Sequence, residues 1–421
     1  MFTRPPPGGR TALARPPSSR FDYHRPLRNH RVLRRRQEGT TIAILRPVEI
    51  RSGAAAAATL SVVDDILSGG AAVLPVPADD PGQSAALTTA LRAGDEIDDA
   101  VAVVLSTSGT TGTPKGAQLT SSALHASATA THTRLGGGGR WLLALPAYHV
   151  AGFQVLVRSV IAGTEPVALD PAFDPAELPG AVAALGSGRR YASLVAAQLD
   201  KAVRDRRAAE ALADLDAVLI GGGPMPATVG ERAAAAGVRV IRTYGMSETA
   251  GGCVYDGVAL PGVQVRVDPQ ARIWLGGATV AAGYRNPVTP DPFAEPGWFR
   301  TDDVGAVDAA GVLTVAGRSD DAISTGGLTV LPGLVETAVL SHPAVAECAV
   351  FGVPDERLGQ RVVAAVVLEP GAAVTLDELR THAAQTLDRT AAPRELHVLD
   401  ALPRRGIGKV DRRALRRLAE G

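Results

Sequence analysis

Short apolar runs alternate with helical patterns between residues 101 and 260, which predicts parallel strands joined by crossover helices. The strand-like runs are VAVVLS (101–106), WLLALP (141–146), AVLIG (217–221) and VRVIRTYG (238–245). Between the last two runs, a glycine turn leads into an alanine-rich helix, as in a βαβ unit. We therefore expect a large α/β domain with mainly parallel sheets, which binds its ligands at the carboxyl ends of the strands.

A second pattern begins after Arg318. The predicted elements are a helix over 331–342, strands over 345–353 and 361–369, and a helix over 375–387. Thr375 and Glu378 have the spacing of a capping box at the start of the last helix. We expect a small, mobile α+β domain over 320–421, which follows a large domain over 40–319. Glycine and charge interrupt the apolar pattern at 317–321, so the hinge is placed there.

Composition is that of a folded protein. The chain has 421 residues, of which 46% are apolar and 20% charged, and this is enough for two or three domains with cores of their own. We find no apolar stretch typical of a membrane span. Cys253 and Cys348 lie far apart without a CxxC partner, which argues against a disulfide framework or a zinc site. We expect a reducing, cytoplasmic location.

Residues 1–39 differ from the rest in charge. They hold ten arginines and no lysine against Asp22 and Glu38, a charge of +8 that the remaining residues balance. Six prolines and the lack of a signal-type apolar run predict a disordered basic leader. An Arg-rich transit peptide, a nucleic-acid-binding arm and an over-extended start site are alternatives. Without aromatic interleaving, we expect no nucleic-acid partner.

The strongest chemical signal is the loop LSTSGTTGTPKGAQLT (105–120), where a strand runs into hydroxyls and glycines with a single lysine. Glycines allow backbone N–H groups to approach a phosphate, while hydroxyls and a lysine add hydrogen bonds and charge. Pro114 and Gly116 stand where a Walker A loop needs Gly and Ser or Thr, so P-loop chemistry is disfavoured. A solvated linker is the plain alternative. The candidate phosphate-binding residues are Thr107, Ser108, Gly109, Thr110, Thr111 and Lys115.

This loop resembles the phosphate loop of the adenylate-forming superfamily, which contains acyl-CoA synthetases, luciferases and adenylation domains. Further motifs over roughly residues 45–421 follow in that superfamily's order, and they are GGGP (221–224), YGMSETAGG (244–252), FRTDDVG (299–305), GRSDD (317–321), STGG (324–327) and GIGKVDRR (406–413). Asp302 stands where the superfamily usually has glycine. The resemblance implies an acid–thiol ligase that forms an acyl-adenylate from ATP with Mg²⁺ and passes the acyl group to coenzyme A.

The resemblance also implies roles for single residues. For the nucleotide and its metal they are Gly222, Gly223 and Tyr244 at adenine, Ser247 at phosphate, Glu248 at Mg²⁺, and Asp303 with Arg318 at the ribose hydroxyls. For the later parts of the chain they are Asp320 as hinge, Gly326 and Gly327 at the coenzyme A tunnel, and Lys409 as the lysine that enters the site during adenylation. One opposite charge at about 4 Å contributes on the order of 4 kcal/mol at an effective dielectric of 20, which is enough to matter when a carboxylate attacks a phosphate.

An acyl pocket is expected near residues 145–163. The resemblance implies that His149 lies beside the carboxylate as a wall or gate. Arg158 stands in an otherwise apolar helical run, where a buried cation is costly unless paired. Either its head group reaches solvent, or a second carboxylate on the substrate pairs with it. With the string RTYGMSETAGGCVYDGV (242–258), this resembles the o-succinylbenzoate–CoA ligases of menaquinone biosynthesis.

Other interpretations stay open. The chain is alternatively a CoA ligase for another aryl or fatty acid, a stand-alone adenylation domain, or a non-catalytic nucleotide-binding protein. The last would lack the charged groups at phosphate, but Lys115, Glu248 and Lys409 are all present. The expected partners are a small-molecule carboxylate, ATP and coenzyme A, and a homodimer is possible. Upstream of Ser106 the chain is short for the superfamily.

Overall fold

A computed structural model describes residues 35–37, 40–107, 114–405 and 409–420. The α-helices of these residues are α1 (Leu60–Leu67), α2 (Pro81–Ala90), α3 (Ser121–Leu135), α4 (Val150–Ala162), α5 (Leu178–Ala184), α6 (Ala196–Arg204), α7 (Arg206–Ala213), α8 (Ala227–Ala235), α9 (Pro332–Leu340), α10 (Leu376–Ala383) and α11 (Arg412–Glu420). Short 3₁₀ helices occupy Gly53–Thr59, Pro175–Glu177 and Ser247–Thr249.

The strands of the first part of the chain are β1 (Arg35–Gln37), β2 (Thr40–Ile44), β3 (Arg46–Ile50), β4 (Val73–Pro77), β5 (Glu96–Asp98), β6 (Val101–Leu105), β7 (Ala117–Thr120), β8 (Arg140–Leu143), β9 (Val167–Ala168), β10 (Arg190–Val195), β11 (Ala217–Gly221), β12 (Val240–Met246), β13 (Gly251–Tyr255) and β14 (Val258–Ala259). Those that follow are β15 (Val263–Val267), β16 (Arg272–Gly277), β17 (Gly283–Tyr284), β18 (Trp298–Val307), β19 (Leu313–Arg318), β20 (Ile323–Thr325), β21 (Leu328–Val330), β22 (Val345–Asp355), β23 (Gly359–Leu368), β24 (Glu395–Val398), β25 (Arg404–Arg405) and β26 (Lys409–Val410).

A seven-stranded sheet forms the centre of the large domain, in the order β14-β13-β12-β11-β10-β8-β9. Its strands β8 to β12 are parallel to their neighbours, and β13 and β14 add an antiparallel edge. Alternate residues of each strand enter two different cores, because side chains of a strand point to opposite faces. Trp141 and Leu219 pack with α3 and α4, whereas Leu142 and Val218 pack with residues of α5 to α8.

A second sheet of five strands has the order β17-β7-β6-β4-β3. Strands β3, β4 and β6 are parallel, and β7 and β17 are antiparallel. All five residues of β6 are buried, which explains the continuous apolar run that predicted this strand. The expected α/β domain is confirmed: its two largest sheets consist mainly of parallel strands, with antiparallel strands at one edge of each.

Two antiparallel sheets were not predicted from the sequence. Strands β1, β2 and β5 form one, and β15, β16, β18 and β19 form the other. The second is important for the site, because β18 and β19 pair Asp303 directly with Arg318. Its strands carry few fully buried residues, so they lack the apolar runs that indicated the parallel strands.

The C-terminal part has a sheet and a core of its own. Its sheet has the order β21-β20-β23-β22, and β24 pairs with β23. The predicted capping box is present, since the Thr375 backbone N–H donates to Glu378 Oε2 at 2.7 Å and the Glu378 N–H donates to Thr375 Oγ1 at 3.3 Å. The helix that it caps ends at Ala383, earlier than the predicted 387. The small α+β fold is thereby confirmed.

An ion-pair network joins the C-terminal part to the large domain. Glu369, just after β23, accepts hydrogen bonds from Arg204 of α6 at 3.3 Å and from Arg232 of α8 at 3.2 Å. Both arginines also pair with Asp200. The two guanidinium groups lower the pKa of Glu369 although burial opposes them. The network stabilises the orientation of the small domain in this structure.

The described residues also bear on membrane spans and on the two cysteines. No helix within them is both long and apolar enough to cross a bilayer. Cys253 and Cys348 are both free thiols, and burial raises the pKa of Cys253 to about 12.

Candidate active site

Several predicted residues lie where strands of the large domain end. The turn after β11 contains Gly222, with φ +84°, and Gly223, and both are exposed. The 3₁₀ turn after β12 contains Ser247 and Glu248. Within the loop after β6, the Thr107 hydroxyl is buried without a hydrogen-bond partner among the described residues. Ser108, Gly109, Thr110 and Thr111 lie outside the described residues.

Glu248 is bound by a tyrosine that the sequence analysis missed. Its side chain is buried, with the residue 8% exposed, and the Tyr284 hydroxyl donates to Glu248 Oε1 at 2.6 Å. Lys115 Nζ lies 5.2 Å from the centre of the Tyr284 ring, a cation–π distance. Burial and the adjacent carboxylate raise the pKa of Tyr284, so its hydroxyl stays protonated as a donor. One side chain thus connects the candidate metal ligand with the lysine of the phosphate loop.

The segment after Tyr284 holds the end of the phosphate loop. The Arg285 N–H donates to the Gly116 carbonyl at 2.8 Å, and the Asn286 N–H donates to the Lys115 carbonyl at 2.9 Å. The Asn286 side chain donates to the Pro114 carbonyl at 2.9 Å. Gly116 has φ +72°, and a Cβ there would lie 2.6 Å from Leu91 Cδ2, so glycine is required for packing as well as for backbone geometry. These contacts fix the backbone that presents Lys115.

A second cluster brings together the residues predicted to bind the nucleoside. The Tyr244 hydroxyl donates to Asp303 Oδ2 at 2.7 Å, and Arg318 Nη1 lies 3.8 Å from Asp303 Oδ1. Burial raises the pKa of Asp303, and the Tyr244 and Arg318 contacts oppose that rise. Arg318 also donates to both carboxylate oxygens of Asp320, at 2.8 and 2.7 Å. The candidate hinge residue is therefore tied directly to the candidate ribose site.

Asp302, which replaces the superfamily's usual glycine, has partners of its own. Its carboxylate lies 3.3 Å from Arg272 Nη2 and 3.3 Å from Arg318 Nη2. Its carbonyl accepts from the Ser319 N–H at 2.9 Å. The substitution adds an ion-pair partner for Arg318 without displacing Asp303, which keeps its bond to Tyr244.

His149 caps the amino-terminal end of α4, and Arg158 lies within the same helix. His149 is the N-cap residue of α4, and its ring packs on Tyr148 at 4.6 Å between centres. Arg158 is 3% exposed, and its guanidinium lies 4.9 Å from the Trp141 ring centre. The alternative in which Arg158 extends to solvent is wrong. Among the residues that the structure describes, no carboxylate pairs with Arg158, and burial lowers its pKa.

The candidate lysine lies on a strand fixed by a buried ion pair. Lys409 begins β26, and its side chain lies outside the described part of the chain. Three residues on, Arg412 Nη2 donates to the buried Glu336 at 2.5 Å, and Arg412 Nε donates to the Val350 carbonyl at 3.1 Å. This contact anchors the segment that presents Lys409 to α9 and β22.

Gly326 and Gly327 form the two-residue turn between β20 and β21, with φ +57° and +80°. Positive φ at both positions is the geometry of a tight hairpin turn, which favours glycine. The turn belongs to the C-terminal sheet, whereas Glu248 follows β12 and Asp303 lies on β18 of the large domain.

The donor chemistry around Glu248 fits Mg²⁺. The described residues contain no group of three or more His, Cys, Asp or Glu side chains suited to a metal ion. Mg²⁺ is commonly held by one or two carboxylates together with substrate phosphates, rather than by a cage of protein ligands. The buried carboxylate of Glu248, whose partner Tyr284 also contacts Lys115, matches that pattern.

Sequence comparison assigns both parts of the chain. The profile of the AMP-binding enzyme family matches residues 42–284, and that of the AMP-binding enzyme C-terminal domain matches residues 334–409. The chain belongs to the AMP-binding enzyme family.

Within this AMP-binding enzyme family, the chain is 61% identical over 382 residues to a probable 2-succinylbenzoate–CoA ligase of Mycobacterium tuberculosis strain H37Rv, an alignment that covers 90% of the chain and 99% of the relative. It is 34% identical to the 2-succinylbenzoate–CoA ligase of Geobacillus kaustophilus, over 76% of the chain and 69% of that protein.

Solved structures of the AMP-binding enzyme fold are also similar. The o-succinylbenzoate CoA synthetase of Bacillus subtilis, in complex with the acyl-adenylate intermediate OSB-AMP, superimposes with a TM-score of 0.69 at 26% identity, covering 88% of each chain. The amide bond synthetase of Marinactinospora thermotolerans, at 23% identity, has a TM-score of 0.74 over 89% of this chain and 90% of its own. The second similarity concerns the fold alone.

We predict that Tyr284→Phe slows adenylate formation about 10- to 100-fold, because a hydrogen bond to a charged group contributes roughly 1.5–3 kcal/mol. The variant keeps the ring and its contact with Lys115 but removes the donor to Glu248. The apparent affinity for Mg²⁺ should fall as well. Acid-dependent ATP–pyrophosphate exchange, measured over a range of Mg²⁺ concentrations, tests this prediction.

Tyr191→Phe is the matched control. The Tyr191 hydroxyl is also inside the large domain, but it donates to the backbone carbonyls of Leu135 and Gly137. This variant should lose stability without a change in Mg²⁺ dependence. Equal exchange rates and equal Mg²⁺ dependence in the two variants would show that Tyr284 only supports the fold.

Proposed function

We propose that the protein is a 2-succinylbenzoate–CoA ligase of menaquinone biosynthesis. It converts 2-succinylbenzoate, ATP and coenzyme A to 2-succinylbenzoyl-CoA, AMP and pyrophosphate. The observation that carries the proposal is the 61% identity to the Mycobacterium tuberculosis relative over 99% of that relative's length. The Bacillus subtilis structural neighbour, whose complex contains OSB-AMP, supports the same acyl-adenylate chemistry.

In the first step, a carboxylate oxygen of the acid attacks the α-phosphorus of ATP and pyrophosphate leaves. The acid is already ionised, so no general base is needed, and the chain's task is to hold the reactants and offset charge. Bound Mg²⁺ supplies charge neutralisation at the phosphates. We assign Lys115 and the Thr107–Thr111 loop to the phosphates, and Lys409 to the attacked phosphate.

The nucleoside is positioned by the cluster around Asp303. We assign Tyr244, Gly222 and Gly223 to adenine, and Asp303 with Arg318 to the ribose hydroxyls. A carboxylate that accepts two hydroxyl donors makes charge-assisted hydrogen bonds, which are stronger than neutral ones. Ser247 is assigned to phosphate and Glu248 to Mg²⁺. The closeness of Tyr244, Asp303 and Arg318 supports the nucleoside assignment.

In the second step, the thiol of coenzyme A attacks the acyl carbon of the adenylate, AMP leaves, and the thiol proton passes to solvent. We propose that residues 320–421 rotate about Asp320 between the two steps, so that Lys409 withdraws and Gly326 and Gly327 approach the thiol. The contacts that such a rotation has to break include the Arg318–Asp320 pair and the Glu369 network.

For the acid, we propose that His149 lies beside the reacting carboxylate and that Arg158 pairs with the second, aromatic carboxylate. The burial of Arg158 without an acidic partner among the described residues supports this, because an unpaired buried guanidinium is costly. A cytoplasmic location and a homodimer are further proposals. The basic leader over 1–39 lies mostly outside the described residues and has no role in this account.

Product analysis with a panel of acids tests the proposed function. The protein is incubated with ATP, Mg²⁺ and coenzyme A, and thioesters are detected by mass spectrometry with 2-succinylbenzoate, benzoate or a medium-chain fatty acid. We expect a thioester from 2-succinylbenzoate at a kcat/KM at least about 100-fold above the others, since a buried charge left unpaired by a monocarboxylate is strongly disfavoured. Preference for another acid would mean that the protein is a CoA ligase with a different substrate. The absence of product with every acid would favour a non-catalytic nucleotide-binding protein.

Lys409→Ala should separate the two steps. We expect adenylate formation to fall by about 100-fold or more, the scale of a lost transition-state contact, while thioester formation from supplied acyl-adenylate stays largely intact. Single-turnover measurements of each step check this. Arg417→Ala, an exposed arginine of α11, is the control for lost charge in the same segment. Equal losses in both steps of Lys409→Ala would contradict the assignment of Lys409 to the first.

A further inference from the structure

Gln154 carries a buried side-chain amide. The residue is 1% exposed in the middle of α4, and neither Nε2 nor Oε1 has a partner among the residues that the structure describes. Most buried polar side-chain atoms in proteins are hydrogen-bonded, since burying an amide without compensation is costly. An amide in this position therefore indicates a ligand that supplies the missing partner.

The position of Gln154 relates it to the candidate active site. A Cβ placed on Gly251 would lie 3.2 Å from Gln154 Cγ, so this side chain packs directly against the start of β13. Gly251 follows Glu248 by three residues, through the tight turn after β12. Gln154 therefore lies behind the turn that presents the candidate metal ligand.

Gln154 also lies between His149 and Arg158 along α4. Residues 150, 154 and 158 are spaced by four, so they share one face of the helix, at intervals of about 6 Å along its axis. His149 precedes this face at the amino-terminal end, and Arg158 is the last of the three. A substrate that reaches from His149 to Arg158 has to pass Gln154.

Among the described residues, no carboxylate acts on the charge of Arg158. Trp141 stacks on its guanidinium, and burial, followed by the charge of Arg158, lowers the pKa of His132 to about 4, so that this imidazole is neutral. The Tyr255 hydroxyl lies 3.0 Å from the Thr131 hydroxyl. The described surroundings of Arg158 thus combine one cation with neutral groups, which suits an anionic end of a ligand.

We propose that the side-chain amide of Gln154 donates a hydrogen bond to the ketone oxygen of 2-succinylbenzoate and selects for acids with a carbonyl group at that place. This inference rests on the proposed function. In 2-succinylbenzoate, the ketone stands between a short chain that ends in the reacting carboxylate and a ring that carries the second one. That order matches His149, Gln154 and Arg158 along the helix. Gln154 is then a specificity-determining residue.

The proposal is tested by comparing the wild-type protein and Gln154→Leu with two substrates, the first of which is 2-succinylbenzoate. The second substrate is 2-(3-carboxypropyl)benzoate, in which a methylene group replaces the ketone. The wild-type protein should prefer the ketone by about 10- to 100-fold in kcat/KM, because the analogue leaves the buried amide unpaired. In Gln154→Leu, kcat/KM for the ketone substrate should fall by that factor, whereas kcat/KM for the analogue should not change. The preference for the ketone then disappears.

Two further variants control for indirect effects. Ser159→Ala removes another buried polar atom of α4 that lacks a partner among the described residues, and it should keep the ketone preference. Arg158→Met should lower kcat/KM for both substrates by the same factor. Gln154→Asn, which keeps a shortened amide, should retain part of the preference.

The outcomes separate this proposal from the function on which it rests. If the wild-type protein does not use 2-succinylbenzoate, the proposed function fails. If it does, and Gln154→Leu remains folded by circular dichroism and still prefers the ketone, only the role of Gln154 is overturned. If Gln154→Leu does not fold, the test uses the wild-type protein and Gln154→Asn. Equal kcat/KM of the wild-type protein for the two acids would overturn the role of Gln154. A ketone preference that is reduced in Gln154→Asn would support it.

Discussion

The two largest sheets of the large domain meet where the Tyr284 hydroxyl donates to Glu248. Tyr284 belongs to β17, at the edge of the five-stranded sheet, and Glu248 follows β12 of the seven-stranded sheet. Backbone bonds reinforce the junction, since the Ala281 N–H donates to the Glu248 carbonyl at 2.9 Å and the Ala282 N–H donates to the Gln118 carbonyl at 2.8 Å. The phosphate loop enters the same junction through Lys115. Tyr284 thus contacts both the candidate metal ligand, Glu248, and the candidate phosphate-binding cation, Lys115.

A second constraint is charge. A site for ATP and an acid has to hold several negative charges in a partly buried place, and such charges attract the substrate only if the chain balances them. Three cations of the candidate site lie in different places: Lys115 beside the Tyr284 ring, Arg318 beside Asp303, and Arg158 within α4. Arg318 is paired with Asp303 and Asp320 of the chain itself, whereas Arg158 lacks an acidic partner among the described residues. This difference is why we propose Arg158, rather than Arg318, as a contact of the acid.

Local patterns predicted the parts of the fold that local forces determine. The buried strand β6 and the capped helix α10 were evident because an apolar run and a capping box lie within a few residues of sequence. The antiparallel sheet of β15, β16, β18 and β19 was not, because its half-exposed strands depend on cross-strand pairing. Among the candidate site residues, motifs indicated Tyr244, Asp303 and Arg318, which the structure brings together. The contact of Tyr284 with Glu248 joins residues 36 apart on different sheets, and no short pattern indicates it. The burial of Arg158 and the isolation of Gln154 likewise depend on how α3, α4 and β13 pack.

The central claim is that this site forms an acyl-adenylate from 2-succinylbenzoate before coenzyme A takes part. The most direct measurement is the incorporation of labelled pyrophosphate into ATP by the wild-type protein, with Mg²⁺ and 2-succinylbenzoate and without coenzyme A. We predict exchange that requires the acid and does not require the thiol. Exchange that is absent under these conditions, or that begins only when coenzyme A is added, would contradict the account.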